Sequence, residues 1–283
     1  MPVKIVNGET AGGAELAAKL ADANSDGQTI MAIGVQNIHS YYNGFWKVNP
    51  ADFSKFKIVA GNIQPNPDCG NMILTQTDAP FNTWEEFVKY VEEHPVEITA
   101  VSMPGKVMDL KMKALFNGTG VSKNIRWVPV ASNAEATTAL LNGTINCVML
   151  DELTASHYLE DGTCKALINC RMDNDYSMYG NDPAIEKMKA VPTLLDVFGA
   201  DAEKYMVPNR SVIIVPAGTP DDICDAIAKV INRIDEEPIG SEFYDKSHFI
   251  GGTSKYYSWP GDKIMAEWSR LDPIIKEICG MML

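Results

Sequence analysis

Short apolar runs, each about as long as a buried strand, alternate with segments of helical periodicity along nearly the whole chain. These runs predict strands at residues 3–6, 29–35, 58–61, 71–75, 97–101, 125–129, 145–150, 165–169 and 211–215. A strand followed by a helix returns most readily to a parallel neighbour. The alternation therefore predicts layered α/β domains with largely parallel sheets.

Several of the predicted helices have recognisable ends. Thr83 precedes an acidic first turn, as a capping residue does, and the helical pattern after it stops before Pro95. The segment from Thr219 to Asp222 predicts a second start, with a capping threonine and a first-turn proline. A third helix at 134–141 ends at Asn-Gly, and apolar residues spaced by three and four predict a last helix through 265–278.

Length and charge restrict the function. With 283 residues the chain is long enough for two ordinary domains, and no stretch approaches the ~20 apolar residues of a membrane-spanning helix. The net charge of −13 argues against nucleic acid as a partner, because phosphate binding requires clustered Lys and Arg. A small anion remains compatible with this charge, since a single helix N-terminus can bind a carboxylate.

The sequence contains no recognisable metal, nucleotide or catalytic motif. The six cysteines form no CxxC pair, so we expect no metal site and interpret them as small buried residues in a reducing setting, with a 164–170 disulfide left open. GxGxxG, GxxxxGK[ST], GxSxG and HExxH are all absent. We therefore expect a protein that is not an enzyme and has no cofactor. No secretory signal opens the chain, which taken literally indicates the cytoplasm.

Three predicted strand-to-helix junctions carry small residues, at 7–14, 102–106 and 129–133. In open α/β sheets, ligands bind beyond the carboxyl ends of strands, where helix N-termini present unpaired amides. The alternative is that such residues only relieve steric strain in tight turns. Lys106 could bring a positive charge to an anion or could be a solvated surface lysine. Asp109 could pair with Lys106 or with Lys113.

The junction at Val6–Ala14 and the segment Asn24–Met31 resemble the VENxxGAGG loop and PDGYTLL segment of the tripartite tricarboxylate transporter receptors, also called the Bug family. Four further segments are similar to the family's HVPY, LLxGQVD, VPTL and APAGTP motifs, in the same order. They are Trp127–Pro129, Thr138–Asn146, Val191–Leu194 and Val215–Pro220.

The resemblance implies a two-lobed type II periplasmic-binding-protein-like α/β fold with a hinge, which closes over a small carboxylate. The ligand would be a di- or tricarboxylate or an acidic amino acid, delivered to the integral membrane subunits of a transporter driven by an ion gradient. The full-length protein would be periplasmic or a cell-surface lipoprotein. The ligand-binding residues carried over by the motifs are Gly8, Thr10, Ala11, Gly12, Gly13, Ser102, Gly105, Lys106, Val130, Ala131 and Ser132.

This chain departs from the family pattern in the loops and at its start. The family's glycine-serine pair becomes Gly105-Lys106, its histidine becomes Asp109, and its YKG becomes residues 130–132. Family members also begin, after the export signal, with a strand, a PFxxGGxxD loop and a helix that precede the segment matching residues 1–7. We therefore expect Met1 to be an internal start in a longer, exported protein; the alternative is a degenerate cytoplasmic relative.

By the same resemblance, one lobe comprises residues 1–75 and 211–283, and the other 76–210. Two other classes of function remain open. A cytoplasmic domain that senses a small molecule would share the architecture, but no DNA-binding helix-turn-helix is visible. An enzyme on this fold would need titratable groups that converge in one place.

Overall fold

The computed structural model describes residues 4–7, 13–63, 70–176, 182–208, 210–233, 257–258 and 261–280. The chain divides into two compact units. The first comprises residues 1–65, 209–243 and 255–283, and the second comprises residues 66–208 and 244–254. The α/β class predicted from the sequence is confirmed in both units.

The strands, in chain order, are β1 (Met31–Gly34), β2 (Phe56–Ile63), β3 (Asn71–Gln76), β4 (Thr99–Ser102), β5 (Arg126–Pro129), β6 (Val148–Asp151), β7 (Cys164–Asn169), β8 (Ser211–Pro216) and β9 (Tyr257–Ser258). The α-helices are α1 (Ala14–Ala21), α2 (Gln36–Tyr42), α3 (Trp84–Glu93), α4 (Val107–Gly118), α5 (Asn133–Leu141), α6 (Glu152–Glu160), α7 (Ile185–Lys189), α8 (Leu194–Phe198), α9 (Asp221–Asn232) and α10 (Gly261–Gly280).

The sequence pattern predicted largely parallel sheets. The strand order instead shows that most strand pairs are antiparallel. In the first unit the order is β1-β8-β2-β9, and β8 is antiparallel to both β1 and β2. In the second unit β3 lies between β6 and β7 and is antiparallel to both. The prediction was wrong because helix-strand alternation does not reveal a strand that inserts between two others. The consecutive strands β4 and β5 are parallel.

Each unit has its own core. In the second unit, Trp84, Phe87 and Phe116 pack against one another with ring centroids 5.2–5.7 Å apart. They join Met72, Ile73 and Leu74 of β3 in one continuous apolar cluster. In the first unit, α10 packs against β2 and α2 and buries Trp268 completely.

Most of the predicted helix ends are confirmed. The Thr83 hydroxyl oxygen accepts the Glu86 amide at 3.2 Å, and α3 ends at Glu93, before Pro95. Helix α5 ends at Leu141, and Gly143, two residues later, has a left-handed φ of 77°. The start of α9 differs by one residue, because Pro220 is the N-cap and the helix begins at Asp221. Thr219 is buried instead of capping the helix.

Two predictions about chain segments differ from the structure. Residues 4–7 form no strand, and Ile5 is 82% exposed, so the predicted strand at 3–6 is wrong over its described part. The first lobe was expected to run to residue 75, whereas β3 pairs within the sheet of the second unit. An apolar run alone does not say which sheet a strand joins.

Cys164 and Cys170 are both buried, and no disulfide joins them. Cys69 lies outside the described residues. Burial raises the pKa of the Cys147 and Cys164 thiols. None of the helices described here is long and apolar enough to cross a membrane.

A buried polar network occupies one edge of the second unit. The Arg171 guanidinium donates to a carboxylate oxygen of Glu152, and both side chains are fully buried. Asn169 donates to the other Glu152 oxygen at 2.9 Å, and the guanidinium lies over the ring of Tyr176. Burial is the main cause that raises the pKa of Tyr176 to about 12. Gly70 packs directly against this network.

We predict that Gly70→Ala destabilises the protein by about 1–3 kcal/mol, the usual cost of overpacking. A methyl group at this position would lie 2.0 Å from Glu152 Oε2, 2.3 Å from Asn169 Oδ1 and 2.7 Å from Arg171 Cγ. Urea unfolding measures the change. Gly280→Ala is the control, because a methyl group there meets no described atom within 4 Å apart from its own helix. We expect this variant to change the free energy of unfolding by no more than ~0.5 kcal/mol. Equal unfolding midpoints for the two variants would contradict the packing argument.

Candidate ligand-binding site

Two of the three loops singled out in the sequence leave the second unit side by side. Strands β4 and β5 are parallel and in register up to the pair Ser102–Pro129. The Val130 amide then donates to the Ser102 carbonyl at 3.0 Å, which extends the pairing past the end of β5. The loops that start at Ser102 and Val130 therefore begin next to each other at the carboxyl edge of the sheet.

The first of these loops turns tightly into α4. Gly105 has a φ of 86°, a left-handed conformation that favours glycine, and the Lys106 amide donates to the Met103 carbonyl at 3.0 Å. Lys106 is the N-cap of α4 but provides no side-chain cap. Its side chain is exposed and makes no ion pair with the residues described. A cation at a helix N-terminus is unfavourable by itself, and a bound anion would offset that cost.

A buried ion pair holds the loop between β4 and α4 in position. The Lys113 ammonium lies 2.8 Å from Asp109 Oδ2, and the two side chains are 5% and 0% exposed. Asp109 Oδ1 accepts the Met103 amide at 2.8 Å, and Lys113 donates to the Ser102 hydroxyl oxygen at 2.9 Å. Of the two partners considered for Asp109, the structure therefore places Lys113 in contact with it.

An aromatic ring completes the surroundings of the Lys113 ammonium. The ammonium lies 5.5 Å from the centroid of the Trp127 ring, on β5. A cation over the face of an indole is attracted by the ring quadrupole. Lys113 thus links the β4 loop to the neighbouring strand.

The second loop is held by a capping arrangement. The Ser132 hydroxyl oxygen accepts the Glu135 amide at 3.2 Å, and Glu135 Oε2 accepts the Ala131 amide at 2.8 Å. Two of the groups predicted to bind ligand, the Ala131 amide and the Ser132 oxygen, therefore have partners within the chain. Ala131 and Ser132 are exposed, and Val130 is half-buried.

Gly13, which directly precedes α1, belongs to the first unit. Gly13 is the N-cap of α1 with a φ of 89°, which requires the conformational freedom of glycine. Gly8, Thr10, Ala11 and Gly12 lie outside the described residues. The structure thus brings together Ser102, Gly105, Lys106, Val130, Ala131 and Ser132 at one edge of the second unit, and it places Gly13 in the other unit.

The same carboxyl edge carries the Glu152–Arg171 network. Strand β6 runs parallel to β4 through the pair Ala100–Cys147, so Glu152, which follows β6, lies at the edge where Ser102 lies. Lys111 on α4 reaches Asn71, the first residue of β3, at 2.8 Å. Arg171 is bound to Glu152 and the ammonium of Lys113 to Asp109, so neither cation is an open anion site.

Sequence reasoning missed Trp127 and Glu135 and did not give Lys113 a role in the site. The spacing of four between Asp109 and Lys113 and of three between Ser132 and Glu135 are both recognisable signals of helix pairing and capping. No spacing rule indicates Trp127, since its position depends on the pairing of β4 with β5. Within the described residues, no three His, Cys, Asp or Glu side chains are placed to hold a metal ion.

Several solved structures are similar to this chain in fold. A ligand-free TctC solute-binding protein from Polaromonas matches with a TM-score of 0.69 and 21% identity over 98% of this chain and 86% of its own. MatC from Rhodopseudomonas palustris, solved with malate, matches with a TM-score of 0.62 and 18% identity over 95% and 85%. A second R. palustris protein, solved with adipate, gives 0.60 and 17% over 95% and 84%.

These similarities support the periplasmic-binding-protein-like fold that the motifs implied. None of the individually curated proteins matches the chain in sequence. The family model described as the tripartite tricarboxylate transporter family receptor matches residues 1–278, nearly the whole chain. The chain therefore belongs to the tripartite tricarboxylate transporter receptor family.

Proposed function

We propose that this protein is an extracytoplasmic receptor that binds a small organic carboxylate and delivers it to the membrane subunits of a tripartite transporter driven by an ion gradient. The observation that carries the proposal is the family match over residues 1–278. The edge of the second unit fits it, because two loops that lead into helix N-termini begin there side by side. Such loops bind anions through backbone amides.

The ligand class follows from the chemistry of the loops and from the relatives. Malate and adipate, the compounds bound to the two R. palustris proteins, are both dicarboxylates. The exposed Lys106 and the Ser102 hydroxyl provide a cation and a hydrogen-bond donor to one carboxylate. We propose a di- or tricarboxylate or an acidic amino acid, held at Ser102, Gly105, Lys106, Val130, Ala131 and Ser132 and by the loop from Gly8 to Gly13.

The receptor performs no chemistry on its ligand. Four of the titratable groups buried at the carboxyl edge are bound in pairs, Asp109 to Lys113 and Glu152 to Arg171. Groups that are committed to each other in this way hold the loops in position and are poorly placed to exchange protons with a ligand. We further propose that the full-length protein is exported and acts as a periplasmic protein or a cell-surface lipoprotein.

We predict that a carboxylate stabilises the folded chain. A ligand that binds only the native state at 100 times its Kd adds about 2.7 kcal/mol of stability and raises Tm. A thermal-shift screen with malate, adipate, succinate, citrate and glutamate measures this, with succinamide as the uncharged control. Cooperative melting that none of the five carboxylates shifts would overturn the proposed function and reopen the sensing and enzymatic alternatives.

We predict that Lys106→Ala lowers the affinity for the best carboxylate of that screen about three- to tenfold, because it removes an exposed positive charge beside the loop amides. The loss should shrink at high salt, which screens exposed charges. Lys123→Ala is the matched control. It removes the same charge from an exposed position in the same unit, just before the amino end of β5, and should leave the affinity unchanged. Titration calorimetry measures both, and an equal loss in the two variants would show that only net charge matters.

A further inference from the structure

We infer that Lys113 is a positioning residue for the ligand: by donating to the Ser102 oxygen, it reserves the Ser102 hydroxyl as a hydrogen-bond donor to a ligand carboxylate. The inference rests on the proposed function and names a residue through which the site recognises an acceptor. Lys113 itself is buried beneath the loop and does not touch the ligand.

A lysine ammonium has donors and no acceptor. The contact of 2.9 Å between Lys113 Nζ and Ser102 Oγ must therefore use a lone pair of the serine oxygen. The hydroxyl keeps its own hydrogen, which needs an acceptor elsewhere.

The described part of the chain does not provide this acceptor. Within those residues, the Ser102 hydroxyl makes no hydrogen bond as a donor. The backbone around it is fixed, because the Ser102 carbonyl accepts the Val130 amide at 3.0 Å. Ser102 is 8% exposed and lies at the start of the loop. A group that approaches the loop can therefore meet a hydroxyl hydrogen that is still available.

Asp109 is the carboxylate that could compete for this hydrogen. Asp109 Oδ1 accepts the Met103 amide and Oδ2 accepts the Lys113 ammonium. Asp109 thus neutralises the buried cation, as a buried charge requires, and in the described part of the chain the Ser102 hydroxyl makes no hydrogen bond to either of its oxygens. The Trp127 ring, 5.5 Å from Lys113 Nζ, covers the ammonium on another side.

The arrangement gives the site a preference for acceptors. An ammonium that donates to a hydroxyl polarises it, and the hydroxyl becomes a stronger donor to the next group in the chain of hydrogen bonds. A carboxylate oxygen gains from such a donor. An ammonium or amide N–H group at the same place could use only the second lone pair of the serine oxygen, because Lys113 already occupies the first.

The test is a cycle of three variants measured by titration calorimetry against the tightest binder among malate, adipate, succinate, citrate and glutamate. The variants are Ser102→Ala, the pair Asp109→Asn with Lys113→Met, and all three changes together. The pair removes both buried charges at once, and asparagine can still accept the Met103 amide. Thermal melting of each chain without ligand reports folding separately.

We expect Ser102→Ala and the Asp109→Asn/Lys113→Met pair each to lower affinity about tenfold, and the combination to lie within about twofold of Ser102→Ala alone. If Lys113 had a merely structural role, the affinity losses of Ser102→Ala and of the pair would multiply in the combined variant. That result would overturn the inference and leave the proposed function intact. If the unchanged chain binds none of the five carboxylates, the proposed function fails and the inference fails with it.

A conservative variant tests the same idea if the double variant does not melt cooperatively. Lys113→Arg keeps a cation that only donates hydrogen bonds, so it should bind the same carboxylate within about threefold of the unchanged chain. A tenfold loss in a Lys113→Arg chain that melts normally would contradict the role assigned to the donor.

Discussion

The cost of burying charge is the constraint on which the carboxyl edge of the second unit depends. Lys113 and Asp109 lie under the β4 loop, and Arg171 and Glu152 lie beside the ends of β6 and β7. A buried ion left without its partner costs about 3–5 kcal/mol, so each of these side chains fixes the position of the other. The loops that start at this edge are therefore anchored to a scaffold with little freedom to shift.

This anchoring explains why buried and exposed residues have different roles in the candidate site. The buried charges hold backbone and hydroxyl groups in place, and the exposed side chain of Lys106 remains accessible to a ligand. Sites of this kind bind through preorganised donors, because little conformational entropy is lost when the ligand arrives. Acidity of the whole protein is no obstacle, since the field at the loops is set by local donors.

The sequence predicted the elements better than their arrangement. Thr83 and Gly143 mark helix ends through local chemistry, which a sequence displays directly. The insertion of β3 and β8 between other strands depends on pairing across long stretches of chain, for which the sequence carries no local signal. The exposed segment at residues 4–7 shows the same limit, because an apolar run does not tell whether a partner strand is present.

For the candidate site as well, the sequence predicted individual residues better than the contacts between them. The glycine-rich junctions and the family motifs pointed to Ser102, Gly105 and Lys106 as neighbours of a ligand, and the structure gathers them with Val130 to Ser132 at one edge. The contact between Lys113 and Ser102 could not be read from spacing, because it joins a helix to the end of a strand eleven residues earlier. The Ala131 amide was expected to be open, and Glu135 engages it through a capping arrangement.

The position of β8 has a consequence for how the chain is made. β8 provides the pairing partner of both β1 and β2, yet it comes only at Ser211–Pro216, after the whole of the second unit's main segment. During synthesis from the N-terminus, β1 and β2 must wait for about 150 residues before their shared neighbour exists. The strands described in the second unit, β3 to β7, have all been made by Asn169. The order of synthesis therefore lets the second unit fold first and leaves the first unit to close around a strand that arrives late.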